Sequence, residues 1–132
     1  MHEMFARNLA AIFGLIGVLS AWPVLASGDA ANGEKIFRKC GNCHTIVLDV
    51  HGLGPSLVGV VGNRPGQAPG FQYSNGMTTF AESGAVWDDA TLDVFLTKPR
   101  RLVKGTRMAF RGLKKDQDRA DVIAYLKQLQ SR

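Results

Sequence analysis

The chain has 132 residues, 16 basic against 11 acidic side chains and a formal charge of +5, which leaves room for one domain at most. Two cysteines exclude a disulfide-dense scaffold. The basic balance invites a nucleic-acid reading, but the exported location argued next does not fit it.

Met1 to Ala26 carries Arg7, an apolar run from Leu9 to Leu19, and then Ala21-Trp22-Pro23-Val24-Leu25-Ala26. A basic start, a short apolar run and small residues near the end form a secretory signal pattern, with cleavage expected after Ala26. The alternative is an uncleaved membrane anchor. Its apolar stretch falls near the short end of the roughly 17–25 residues that a spanning helix needs, and Pro23 interrupts it. A mature domain over residues 27–132, in the periplasm, is therefore expected. About a hundred residues is near the low end for a self-sufficient core, so a bound apolar body is an advantage to this chain.

Asp29 to Cys40 reads as the first helix, with Asp29 as N-cap and Ala30, Gly33 and Phe37 at helical spacing. Glycine costs about 1 kcal/mol against alanine inside a helix, so Gly33 points to a close helix contact. The helix runs into Cys40-Gly41-Asn42-Cys43-His44, a Cys-x-x-Cys-His signature of covalent haem attachment. Two thiols three residues apart leave the same side of one helical turn, so each reaches one vinyl group of a single porphyrin. His44 then offers a ring nitrogen as proximal iron ligand. A disulfide, a redox Cys-x-x-Cys and half of a zinc site are the alternatives. Zinc needs four ligands, and the remaining histidines are only His2 and His51; a thioredoxin-like motif needs flanking strands, which are not visible.

Thr45 to Phe71 is rich in glycine and proline and has no helix or strand period. It reads as a long loop with Leu53, Leu57, Val60 and Val61 turned inward, a length that a bound prosthetic group accounts for. Tyr73 to Gly84 holds a short helix and a turn. Asp88 to Thr97 is a helix with an acidic first turn and an apolar face of Leu92, Phe95 and Leu96, ended by Lys98-Pro99. Arg100 to Lys115 reads as a basic loop. Asp118 to Gln130 closes the chain as an amphipathic helix with Val122, Tyr125, Leu126 and Leu129 on one face and a polar opposite face. The class is all-α with long loops.

A six-coordinate haem needs a distal ligand, and the mature chain offers Met77, Met108 and His51. Met77 lies in a polar stretch that reads as mobile. His51 is too near His44 in sequence to cross to the other haem face without strain. Met108 follows Gly105-Thr106, which turns tightly, and its soft neutral sulfur favours ferrous iron. Around it lie Lys98, Arg100, Arg101, Lys104, Arg107, Arg111, Lys114 and Lys115 with no acidic residue among them, a candidate docking face for acidic partners.

On these motifs the chain resembles the class I cytochromes c, mitochondrial-type and bacterial periplasmic, over Gly28 to Gln130. Gly54-Pro55-Ser56-Leu57 matches the family's Gly-Pro-x-Leu, which implies that the Pro55 carbonyl accepts from the proximal histidine. Gly66-Gln67-Ala68-Pro69-Gly70-Phe71-Gln72-Tyr73 and Gly105-Thr106-Arg107-Met108-Ala109-Phe110 also match. The resemblance implies that Tyr73, Trp87 and Thr106 serve a buried propionate, and that His51 bridges two loops and is not a ligand. It further implies that the N- and C-terminal helices cross near Gly33 and Phe37, with the loops wrapped around one covalent haem c. Departures are Asn63-Arg64 in place of an arginine directly after Gly62, Phe95 in place of a common tyrosine, Lys104 in place of a proline, and a longer Ser74 to Val86.

The implied function is a soluble, monomeric single-electron carrier that is not an enzyme. Its implied partners are membrane redox complexes with acidic docking surfaces: a cytochrome bc complex, a terminal oxidase or a photosynthetic reaction centre. The alternatives are a cytochrome subunit or dedicated acceptor of a periplasmic dehydrogenase, and a haem-based sensor or peroxidase-like protein. A dedicated subunit should show an added hydrophobic docking surface or an extra segment, and neither is visible in the sequence.

Overall fold

The structure, a computed structural model, describes residues 27–131; the leader expected over residues 1–26 lies outside them. Five α-helices and a closing 3-10 turn make up its regular structure, with no strand among the described residues, as the all-α reading expects.

Helix α1 spans Ala30–Phe37, and the Asp29 carboxylate caps it by accepting from the amides of Ala31 and Asn32, which leaves fewer unpaired donors at its start. It ends three residues before Cys40, earlier than expected. The chain nevertheless keeps turning: the Cys40 amide donates to the Phe37 carbonyl at 2.7 Å and the His44 amide to the Cys40 carbonyl at 2.9 Å. Helix α2, Asn75–Glu82, is capped by Ser74 and helix α3, Asp89–Thr97, by Asp88. Pro99 then opens a further one-turn helix, α4, Pro99–Leu102, inside the stretch expected to be loop. Proline ends one helix because it cannot donate, and its fixed φ suits the first position of the next. Helix α5 runs Asp116–Gln128, two residues earlier than expected, and finishes in the 3-10 turn Leu129–Ser131.

Helices α1 and α5 cross at Gly33. A Cβ built there would lie 2.6 Å from the Asp121 carbonyl carbon and 2.9 Å from the Tyr125 Cβ, so only glycine lets the two backbones approach this closely. Beside it the rings of Phe37 and Tyr125 pack at a 54° tilt with centroids 5.3 Å apart. Helix α3 also packs against α5, with Leu92, Phe95 and Leu96 in the shared core.

Two charges at polar positions of α5, expected to be solvated, are buried on opposite flanks of its apolar face. Asp121 is 2 % exposed and accepts from Asn32 Nδ2 at 2.6 Å, the Asp29 amide at 2.8 Å and Gln117 Nε2 at 2.7 Å. Arg119 donates to Asp93 and Asp116, each at 2.7 Å, and to the Leu113 carbonyl at 2.9 Å. Arg119 is thus ion-paired and Asp121 is held by three neutral hydrogen-bond donors, which offsets the cost of desolvation. Together they latch α5 onto α1 and α3.

In the long loop, Leu57, Val60 and Val61 pack against the core as expected. Leu53 does not: it is 85 % exposed. The reason is that backbone faces inward here. The Gly54 amide donates to the Cys43 carbonyl at 2.9 Å and the Gly52 amide to the Gly54 carbonyl at 3.0 Å, which turns the side chain between the two glycines outward. Met77, expected in a mobile stretch, sits in α2 and packs against the core.

Candidate haem-binding site

The site is built on the turn after α1. Its hydrogen bonds, Cys43 N–H to Cys40 O at 3.0 Å and His44 N–H to the same carbonyl at 2.9 Å, put Cys40, Cys43 and His44 on one helix-like turn. Both thiols are free; Cys40 is half-buried and Cys43 exposed. Burial pushes the Cys40 thiol's pKa up, against the opposing pull of Lys39.

His44 is fixed from one side only. Its Nδ1 lies 2.7 Å from the Pro55 carbonyl, and a carbonyl only accepts, so Nδ1 carries the proton. Burial lowers the imidazole's pKa, partly countered by that hydrogen bond. A neutral ring protonated on Nδ1 keeps a lone pair on Nε2, the form that binds a metal. Gly54 makes the arrangement possible, since a Cβ there would stand 2.5 Å from His44 Cε1 and 2.7 Å from Nδ1.

Met108 is half-buried on the edge of the core. Gly105, at φ +78°, turns the chain into its loop, and the Thr106 hydroxyl oxygen accepts from the Met108 amide at 3.1 Å. Two ties that sequence reasoning missed hold the same loop. Arg100 Nε donates to the Met108 carbonyl at 3.3 Å, and Arg107 donates to the Gln72 carbonyl, joining this loop to the one bearing Tyr73. The backbone at Lys104 is braced by α2, where Gly76 abuts the Lys104 carbonyl.

Tyr73 is half-buried, with its pKa raised by burial, and its oxygen accepts from the Ala68 amide at 3.1 Å. The phenol proton is therefore retained and free to donate. Trp87 is buried between Phe80 and Phe95, at 5.4 and 4.8 Å between centroids, and its backbone pairs with Gly62 and Asn63. His51 bridges two loops: its Nδ1 accepts from the Ser56 amide at 3.1 Å, so Nε2 donates to the Pro69 carbonyl at 2.7 Å. Arg64 reaches the Ala81 carbonyl at the end of α2.

These residues fit a covalent haem on their own chemistry: two unpaired thiols one turn apart, an imidazole with its outer nitrogen uncommitted, and a glycine pressed against its inner face. Half-buried apolar side chains, among them Leu57, Val61, Phe80, Leu102, Met108 and Phe110, offer a large flat group contact area beside the core. No cluster of three or more histidine, cysteine or acidic side chains forms a metal cage among the described residues. The eight basic residues from Lys98 to Lys115 are all exposed. Lys98, Arg100 and Arg111 line a cleft of about 500 Å³ with Ala109 and Phe110, next to Met108 in the chain.

Known proteins resemble this chain over most of its length. The cytochrome c family model matches residues 30–130. The cytochrome c2 of Rhodomicrobium vannielii is 44% identical over 115 residues, covering 85% of this chain and 90% of that protein. The cytochrome c of Euglena viridis is 45% identical over 103 residues, 77% of this chain and 98% of its own. Among solved structures, cytochrome cH from Methylobacterium extorquens superposes with a TM-score of 0.70 at 42% identity, over 76% of this chain and 99% of that one. The chain belongs to the cytochrome c family and has its all-α fold. It is a single-electron carrier that works with membrane redox complexes.

Proposed function

We propose that Cys40 and Cys43 hold one haem c through two thioether bonds, that His44 Nε2 and Met108 Sδ are its axial ligands, and that the exported, monomeric chain shuttles electrons in the periplasm. The observation that carries this reading is the His44 ring, protonated toward Pro55 at 2.7 Å and uncommitted on its other nitrogen. When bound, the group supplies a one-electron iron couple, which histidine and thioether ligation poises toward ferrous iron.

The chain's own residues divide the remaining work. Pro55 fixes the tautomer and ring direction of His44. Arg100 and Thr106 hold the Met108 backbone from two sides. Tyr73, Trp87 and Thr106 supply the donors that a propionate needs. With His44 and Met108 both committed to its iron, the bound group would offer substrate no open position, which suits an electron carrier. The basic stretch from Lys98 to Lys115 docks the acidic surfaces of a cytochrome bc complex, a terminal oxidase or a photosynthetic reaction centre, since opposite charge raises encounter rates more than affinity.

The test is the purified native protein. Its haem should stay with the polypeptide when the fold is destroyed and an organic solvent is applied, and Cys40→Ala with Cys43→Ala should release it. Haem that extracts freely from the unaltered chain contradicts the attachment.

A further inference from the structure

Five large apolar side chains stand exposed within eight residues of one another: Ile46, Val47, Leu48, Val50 and Leu53, with Leu48 at 61 % and Leu53 at 85 % exposure. They are not among the half-buried apolar residues packed against the core, so they line neither the interior nor its edge. Single exposed aliphatics are ordinary, whereas a contiguous group marks an interaction site.

The group is built into a fixed shape. The Val50 amide donates to the Val47 carbonyl at 3.2 Å, the Thr45 hydroxyl reaches back to the carbonyls of Val47 and Val50, and Asp49 takes a left-handed φ of 56°. A β-branched residue tolerates that conformation poorly, while aspartate adopts it. The result is a small closed loop presenting aliphatic side chains. It is sewn to the attachment turn, because Gly54 donates to Cys43 and Leu57 to Thr45.

We infer that residues 46–53 form a docking surface for one dedicated soluble redox protein, whose own surface offers an apolar recess with an acidic rim. The inference deepens the electron-carrier reading and rests on it. Position selects the occupant. The loop is tied through Gly54 to the Cys43 carbonyl, so an occupant seated on it lies beside the attachment turn with its exposed Cys43 thiol. A redox partner is the occupant for which that position brings donor and acceptor together. A bilayer seated there closes the exit. A second copy brings another net charge of +5 against the first. Charge around the loop points the same way: from Lys35 to Ala81 the only acidic residue is Asp49, against Lys35, Arg38, Lys39 and Arg64. This is the added hydrophobic surface that a dedicated partner calls for, and it is separate in sequence from the basic stretch around Met108.

Apolar contact is not screened by salt, whereas exposed charge contact is. The holoprotein should therefore have two kinds of half-reaction. Its reduction by the native host's soluble periplasmic extract should survive at 0.5 M salt and fall by about tenfold or more in Leu48→Ser and Leu53→Ser, as loss of one buried aliphatic contact implies. Its oxidation by the host's membrane fraction should be unmoved by these changes but slowed by salt and by Lys104→Glu. The haem spectrum should be unchanged in all three variants. Extract and membrane rates both indifferent to Leu48→Ser and Leu53→Ser overturn the inference. So does binding to phosphatidylglycerol vesicles, or a dimer in sedimentation, that the two serine variants abolish. If neither fraction exchanges electrons with the holoprotein, the carrier reading falls first and takes this one with it.

Discussion

Gly54 lies against the ring of His44 so closely that an added methyl group would stand 2.5 Å from Cε1. The missing side chain leaves the imidazole room to sit with Nδ1 2.7 Å from the Pro55 carbonyl. Gly54→Ala should therefore displace the ring: the holoprotein should lose proximal ligation in part and show mixed spin in its visible spectrum. Gly41→Ala is the matched control, because its nearest neighbours stand 3.7 Å away and its spectrum should not change.

At the helix crossing, Gly33→Ala drives a methyl group into the Asp121 backbone and Tyr125. Overpacking of this kind costs about 1–3 kcal/mol, and the helices part before the peptide bends. Denaturant unfolding should show a lower midpoint with an unchanged slope.

Acid stability should depend on Asp121. Hydrogen bonds from Asn32, the Asp29 amide and Gln117 hold its pKa below the ordinary value, outweighing the effect of burial. A carboxylate lowered in this way contributes stability that is complete above the unfolded value of about 3.9 and is lost as pH falls through the lower, folded one. Asp121→Asn should be less stable than the parent at pH 7, and the difference should narrow as pH drops to about 2. A gap that stays constant would assign the loss to packing alone.

How far the sequence led can be argued from individual residues. The attachment turn, the Gly33 contact and the cap at Asp29 were legible because each rests on local spacing or on one residue's stereochemistry. The burial of Asp121 and Arg119 was not. Both are polar positions on opposite flanks of the apolar face of α5, and their partners Asn32, Asp29 and Asp93 come from distant chain, so only the assembled fold supplies them. The same holds for Leu53, whose outward turn follows from backbone bonds to Cys43, and for α4, where a proline read as a stop signal also serves as a start.

Arg119 offers a further check. Its guanidinium is buried and its pKa is raised first by the hydrogen bond it donates to Asp93. Arg119→Met should cost about 1.5–3 kcal/mol, the range for hydrogen bonds to charged groups, because the Leu113 carbonyl and Asp93 lose their donor. Lys127→Glu, which removes the exposed pair with Asp89 at 2.5 Å, should cost about 1 kcal/mol or less. Thermal unfolding of both variants should separate them clearly.

The central claim, that His44 and Met108 flank one covalently held haem, is tested most directly by the visible and redox spectra of two methionine variants of the holoprotein. Met108→Ala should keep its haem through Cys40 and Cys43, become partly high-spin and fall in potential, while Met77→Ala, in α2, should leave the spectrum as it is. A spectrum altered by Met77→Ala and untouched by Met108→Ala would contradict the assignment of the distal ligand.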